Sequence, residues 1–190
     1  PILKNINFLY KEFRAMPDLT SFWISFRVAL ISTMIVTIFG ILISKWLYNK
    51  KRYWVNLLES FIILPIVLPP TVLGFILLII FSTRSPVGEF FTNILHLPVV
   101  FTLTGAVIAS VIVSFPLMYQ HTVNGFRSID SKMLNTARTM GASETKIFLK
   151  LVLPLSKRSI LAGIMMSFAR AIGEFGATLM VAGYIPDKTN

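Results

Sequence analysis

Long apolar runs separated by short polar stretches organise this chain. The first extends from about Phe22 to Tyr48, with no charge between Val28 and Ser44. The second covers about Leu57 to Phe81 and is uncharged from Ser60 to Thr83. The third covers about Val99 to Gln120. The fourth covers about Ser159 to Tyr184 and is interrupted only by Arg170 and Glu174. Each run is near or above the roughly 20 residues that a helix needs to cross a bilayer. None alternates with period two, and barrel strands are much shorter. In hydrocarbon, backbone groups must be satisfied within the segment. The pattern predicts an all-α fold, a polytopic transmembrane helix bundle over residues 22–190.

Ahead of the first run, residues 1–21 lack the continuous apolar core and small-residue cleavage site of a signal peptide. Ile2, Leu3, Ile6, Leu9, Tyr10 and Phe13 recur at helical spacing. Two readings stay open there: an interfacial helix on the outer leaflet, or a poorly ordered tail.

Composition agrees with a bilayer. Only 14% of residues are charged and 55% are hydrophobic, against about a quarter charged in ordinary soluble domains. The net charge is +10, but the cations sit in loops between apolar runs, not on one nucleic-acid-reading face. Cysteine is absent, which excludes disulfides and thiolate metal sites.

The loops assign sides. Lys45, Lys50, Lys51 and Arg52 cluster after the first run with no acid among them. Arg127, Lys132, Arg138, Lys146, Lys150, Lys157 and Arg158 outnumber Asp130 and Glu144 before the fourth. The intervening loop holds only Arg84 and Glu89. Both basic loops are therefore expected in the cytoplasm and the N-terminus outside. Lys146, Lys150, Lys157 and Arg158 read as topology determinants and lipid-headgroup contacts.

Two membrane features carry candidate chemistry. The second run contains Pro65, Pro69 and Pro70, then Thr71 and Gly74. Proline removes backbone donors and forces a kink or a break. Irregular backbone at membrane depth needs protein or a water-filled cavity around it. The segment is either a broken helix lining a translocation path or a packing kink remote from one. In the fourth run Arg170 and Glu174 stand at i, i+4, with Ser167 and Thr178 extending the polar stripe. Buried charges in membranes pair or line water. Gly163, Ser167 and Ala171, and likewise Ala169, Gly173 and Ala177, permit close helix approach. Either this polar face follows a translocation path or subunit interface, or the pair only fixes packing.

The polar segment of residues 130–154 has its own local logic. Asp130 or Ser131 can cap a short helix reaching about Met140. Gly141 suits a left-handed turn, and Ser143 can cap a second helix with Glu144 in its first turn. Met133, Leu134, Ala137 and Met140 give the first helix an apolar face of the kind that seats in a partner's groove; the alternative is a loop packed on its own bundle.

Within that segment, Asn135-Thr136-Ala137 is followed by Gly141 and, after nine intervening residues, by Leu151-x-Leu153-Pro154. This closely resembles the E-A-A-x3-G-x9-I-x-L-P cytoplasmic loop of ABC importer permeases. Asn135 stands where that family usually has Glu, and Leu151 where it often has Ile. The resemblance implies that Asn135, Thr136, Ala137, Met140, Gly141, Ala142, Ser143, Leu151, Leu153 and Pro154 dock a separate ATPase.

Pro65-Ile66-Val67-Leu68-Pro69-Pro70-Thr71-Val72-Leu73-Gly74, together with Phe168 to Gly183, is similar to helices of molybdate permeases. Tyr184 and Asp187 depart from that pattern, and sulfate permeases share the Gly-Glu-aromatic-Gly core. By this resemblance the chain is a homodimeric inner-membrane permease of a molybdate importer, with alternating access driven by ATP. The alternatives are a sulfate or tungstate permease of the same architecture, an ATP-independent secondary transporter or channel, and a structural membrane scaffold. The implied partners are cytoplasmic ABC ATPase subunits, an extracytoplasmic oxyanion-binding protein and membrane lipid, with no nucleic acid. The chain lacks G-x4-G-K-[ST]. No catalytic residue, metal or cofactor is expected in it, and ATP and Mg belong on the partner ATPase. Permeases of this class run on through a further helix, so a fragment cut at both ends is expected.

Overall fold

The computed structural model describes residues 19–48, 50, 53–94, 96, 98–174 and 181. The 1–21 segment therefore falls almost wholly outside the described residues. Three helices form the centre: α1 (Leu19–Leu47), α5 (Leu103–Arg127) and α9 (Lys157–Ile172). Between the first two lie α2 (Tyr53–Val67), α3 (Pro70–Phe81) and the short α4 (Pro86–Glu89), which continues as a π-turn over Phe90–Ile94. Between α5 and α9 lie α6 (Ser131–Thr139), α7 (Glu144–Ile147), a π-turn over Phe148–Val152 and α8 (Leu153–Leu155). No strand occurs among the described residues.

α1 and α5 are long and apolar enough to cross a membrane. On α1, small or polar residues face inward: Ala29, Ser32, Val36, Gly40 and Ser44 are buried. Phe22, Met34, Ile38, Phe39, Leu42 and Trp46 face outward. Lipid is as apolar as leucine, so association rests on close packing and interhelical hydrogen bonds. Both are present. Met118 of α5 is fully buried between two glycines. A Cβ on Gly40 would lie 2.7 Å from its Cγ, and one on Gly163 would lie 3.0 Å from its Sδ. Ser32 Oγ donates to the Val107 carbonyl (3.3 Å), Ser44 Oγ to that of Tyr119 (3.4 Å) and Ser167 Oγ to that of Ser114 (3.3 Å).

The second apolar run does not form one rod. α2 and α3 meet at 116°, as a broken span or a re-entrant loop. The break has a local cause. A residue that precedes proline is driven out of the α region. Leu68 precedes Pro69, and Pro69 precedes Pro70, so two successive residues leave the helix. Pro69 is extended at φ −55°, ψ 139°, and Pro70 opens α3 at N1, where a missing N–H costs nothing. Pro65 stays inside α2. α2 packs Val55 and Ile62 against Tyr119 and Val123. α3 packs Leu73 and Leu77 against Val99, Ala109, Val113 and Val181.

Among the described residues of the fourth run, one helix extends from Lys157 to Ile172, and Val181 is again helical. The Gly173 amide donates to the Ala169 carbonyl (3.1 Å) and the helix closes there, at a residue of low helix propensity. Glu174 thus follows the helix instead of sharing its face with Arg170. Thr178 and Ala177 lie outside the described residues.

Candidate functional site

The loop between α5 and α9 is a helix–turn–helix built from its own caps. Asp130 accepts from the Lys132 amide at 2.8 Å and starts α6. The far end closes at Gly141, whose φ is +80°. The Ala142 amide donates to the Ala137 carbonyl (3.1 Å) and the Gly141 amide to that of Arg138 (2.9 Å). These two bonds form a Schellman motif, which places a left-handed residue at Gly141. Nothing lies within 4 Å of where a Gly141 Cβ would be. Glycine is required here by the backbone conformation, not by crowding.

Ser143 then caps α7, accepting from the Lys146 amide at 3.4 Å. Arg138 clamps the turn. Its Nε donates to Glu144 Oε1 (2.6 Å), its Nη2 to Oε2 (3.3 Å), and its Nη1 to Asn135 Oδ1 (2.7 Å). The guanidinium holds the Glu144 carboxyl below its usual range.

Beyond α7 the chain widens into a π-turn, in which the Leu153 amide reaches back to the Phe148 carbonyl. Pro154 explains the widening. In a regular helix its ring would collide with the carbonyl four residues earlier. Ile147, Phe148 and Val152 enter the core formed by Phe126 and Leu134, and half-buried Leu151 and Leu153 pack on its edge. Serine seals the root of the loop: Ser156 Oγ donates to the Gly125 carbonyl at 3.0 Å.

The apolar face read on α6 divides. Leu134 is buried and Ala137 packs beside it on the chain's own core. Met133 and Met140 are exposed, at 47% and 81%. The face is shared because Leu134 and Ala137 turn toward the core that Ile147, Phe148 and Val152 enter. Asn135, Thr136, Met140, Gly141 and Ser143 remain on the surface, Ala142 is half-buried and Pro154 is exposed.

Arg170 and Glu174 do meet, with Nη1 2.6 Å from Oε2. The side chains are 32% and 1% exposed, respectively, so the pair spans the helix end from a half-open position to a closed one. Ser167 is not on that open side. It is fully buried and bonded to α5. The two small-residue stripes separate likewise. Gly163, Ser167 and Ala171 are buried, whereas Ala169 and Gly173 are exposed. On the broken segment Pro69, Pro70 and Thr71 are exposed, Pro65 is half-buried and Gly74 is buried.

One cluster escaped the sequence reading. Glu59 on α2 accepts from the Tyr119 hydroxyl at 2.9 Å, and the Arg127 guanidinium pairs with the same carboxylate. Glu59 sits at the edge of an otherwise apolar run. An acid at that position, with an arginine ending another long helix, was the available signal.

Residues 36–188 match the family described as the binding-protein-dependent transport system inner membrane component. The putative molybdenum transport system permease protein YvgM of Bacillus subtilis is 46% identical over 87% of this chain and 73% of its own length. The molybdenum transport system permease protein ModB of Azotobacter vinelandii is 34% identical over 90% of this chain and 76% of its own. A probable sulfate transport system permease protein, cysT of Chlorella vulgaris, is 28% identical over 89% of this chain and 63% of its own. With helices suited to a bilayer and a family match over most of its length, the chain belongs to the binding-protein-dependent transport system inner membrane components, the permeases of ABC importers.

Proposed function

We propose that this chain is the permease subunit of a molybdate importer, acting as a homodimer with ATP and Mg bound on separate cytoplasmic ATPase subunits. An extracytoplasmic oxyanion-binding protein delivers the dianion. Alternating access then passes it across the inner membrane. The observation that carries the reading is the Gly141 turn. A rigid Schellman motif holds Asn135, Thr136, Met140, Gly141 and Ser143 on the surface, in a segment with the spacing of an ATPase-docking loop. Leu151, Leu153 and Pro154 seat that loop on the bundle. Molybdate is preferred over sulfate because the relatives named for molybdenum are the more similar ones.

The loop faces the cytoplasm and the N-terminus faces outward in this reading, which the lysine and arginine distribution supports. The break at Pro69 and Pro70, with Pro65, Thr71 and Gly74 around it, shapes the path, because irregular backbone at membrane depth belongs beside protein or water. Arg170, Glu174 and Thr178 belong to the gate region, and buried Ser167 fixes α9 against α5 beside it.

The test is uptake of radiolabelled molybdate by cells lacking their own transporter. This chain would be expressed with an ABC ATPase and an oxyanion-binding receptor of a molybdate importer. Uptake should require all three proteins and ATP, and tungstate should compete better than sulfate. Sulfate uptake in place of molybdate overturns the substrate. Uptake without an ATPase overturns the mechanism.

A further inference from the structure

A cleft of about 550 Å³ opens where the end of α1 meets α7 and the π-turn. Its walls differ in chemistry. Leu42, Lys45, Trp46 and Lys50 line it from the end of α1 and just beyond, and Thr145 and Phe148 line it from the loop. Both lysines are positioned by aromatic rings: Lys50 Nζ is 3.8 Å from the Trp46 ring centre, and Lys45 Nζ is 4.5 Å from that of Phe148. Such contacts orient an ammonium without neutralising it. Glu144 also lines the cleft, but its carboxylate is engaged by Arg138 at 2.6 Å. Cations therefore outnumber the anion around this space.

The outward face of α1 leads directly into the cleft. Ile38, Phe39, Leu42 and Trp46 are 59%, 54%, 55% and 59% exposed and follow helical spacing along one side. From Phe39 to Trp46 the stripe rises about 10 Å. A bilayer covers such a stripe with acyl chain, and a tryptophan at its end marks the headgroup level. An apolar track that ends between two lysines and a threonine hydroxyl matches one amphiphile: an acyl chain on the track and a phosphate at its head.

We propose that this cleft binds the phosphate headgroup of an anionic phospholipid, in the leaflet on the loop's side, through Lys45, Lys50 and Thr145. Its acyl chain lies along Phe39, Leu42 and Trp46. Since Glu144, Thr145 and Phe148 belong to the loop and Lys45 to α1, the bound lipid ties the loop to the membrane. The site does not depend on which anion the protein transports.

The experiment uses the full chain in nanodiscs with Trp23→Phe and Trp54→Phe, so that Trp46 is the only tryptophan remaining of three. Brominated phosphatidylglycerol and brominated phosphatidylcholine are titrated separately, and quenching of Trp46 is read. Phosphatidylglycerol should quench half-maximally at a lower mole fraction, with each lysine contributing about fivefold. Lys45→Gln with Lys50→Gln should abolish the preference, Lys45→Arg with Lys50→Arg should keep it, and Lys132→Gln should leave it unchanged. Equal quenching by the two lipids overturns the site. So does a preference that survives the double glutamine variant, or one that Lys132→Gln reduces equally. If inorganic phosphate relieves the quenching completely, the cleft is a free-anion site and the lipid assignment fails.

Discussion

The hydroxyl of Tyr119, about two turns from the end of α5, donates to the carboxylate of Glu59 at 2.9 Å. Arg127 holds the same carboxylate from the next two turns of α5. The contact ties the first arm of the broken helix to the central bundle, close to where α5 gives way to the loop of residues 130–154. Hydrogen bonds to charged groups contribute about 1.5–3 kcal/mol. Tyr119→Phe should therefore destabilise by about 1.5 kcal/mol, read as a lower melting temperature in detergent. Glu59→Gln keeps an acceptor for Tyr119 but loses the ion pair with half-exposed Arg127, and should cost less. A larger loss for Glu59→Gln would mean that the Arg127 pair, not the Tyr119 bond, holds α2 in place.

Gly141 offers a separation of backbone from packing. Its φ is +80° and no atom crowds the Cβ position, so substitution there tests conformation alone. Alanine should cost about 1–2 kcal/mol for the left-handed geometry. Asparagine should cost less, and valine more. Coupling, measured as transport per ATP hydrolysed in the assembled importer, should fall in the order Gly, Asn, Ala, Val. A valine variant that couples normally would remove the turn from the docking mechanism.

Much of this architecture was legible because membranes write simple rules into sequence. The apolar runs marked the helices, and the residues before Pro69 and Pro70 marked the break. Gly141 and Ser143 marked the turn, since each carries a cap that few other residues supply. What was not legible depended on tertiary direction. Periodicity gave α6 an apolar face but could not say that Leu134 would be buried in one core with Phe126 and Phe148. It aligned Arg170 with Glu174 but could not see that Gly173 ends the helix between them. Glu59 was overlooked because its partners lie about sixty residues away in the chain. No local pattern announces such a contact.

The Arg138–Glu144 clamp gives a pH dependence with a definite sign. Arg138 lowers the Glu144 pKa from its ordinary 4.5. A depressed carboxylate stabilises the folded loop above its unfolded pKa, and that contribution disappears as pH falls through the folded value. Hydrogen exchange at the Ala142 amide, referenced to an unstructured peptide, should lose protection below about pH 4.5. Glu144→Gln should be less protected at neutral pH and lack the acid limb. Identical profiles for both proteins would show that the clamp contributes nothing to the turn.

Sidedness can be read with introduced thiols, since the chain has no cysteine. Exposed Thr139 on α6 and exposed Arg84 before α4 are suitable positions. Thr139→Cys should react with an impermeant maleimide only in inverted vesicles, and Arg84→Cys only in intact cells. The reverse pattern would place the loop outside, where no ATPase could reach it.

Arg170 and Glu174 differ in burial, and that difference predicts an asymmetry. Glu174 is closed off at 1% side-chain exposure, whereas Arg170 is 32% exposed. Arg170→Gln takes one partner away from a buried carboxylate and should be the costlier of the two changes. Glu174→Gln leaves a cation that can still turn toward water, so its cost should be smaller. Thermal stability of the purified permease should therefore rank parent, Glu174→Gln, Arg170→Gln. The double glutamine variant then separates structure from transport. If the pair only fixes the end of α9, replacing both charges should restore stability and uptake together. If Arg170 also guides the anion, stability should return while molybdate uptake stays low. Equal losses in the two single variants would mean that the helix end opens enough to solvate Glu174. The buried-pair argument would then give way to one based on water in the path.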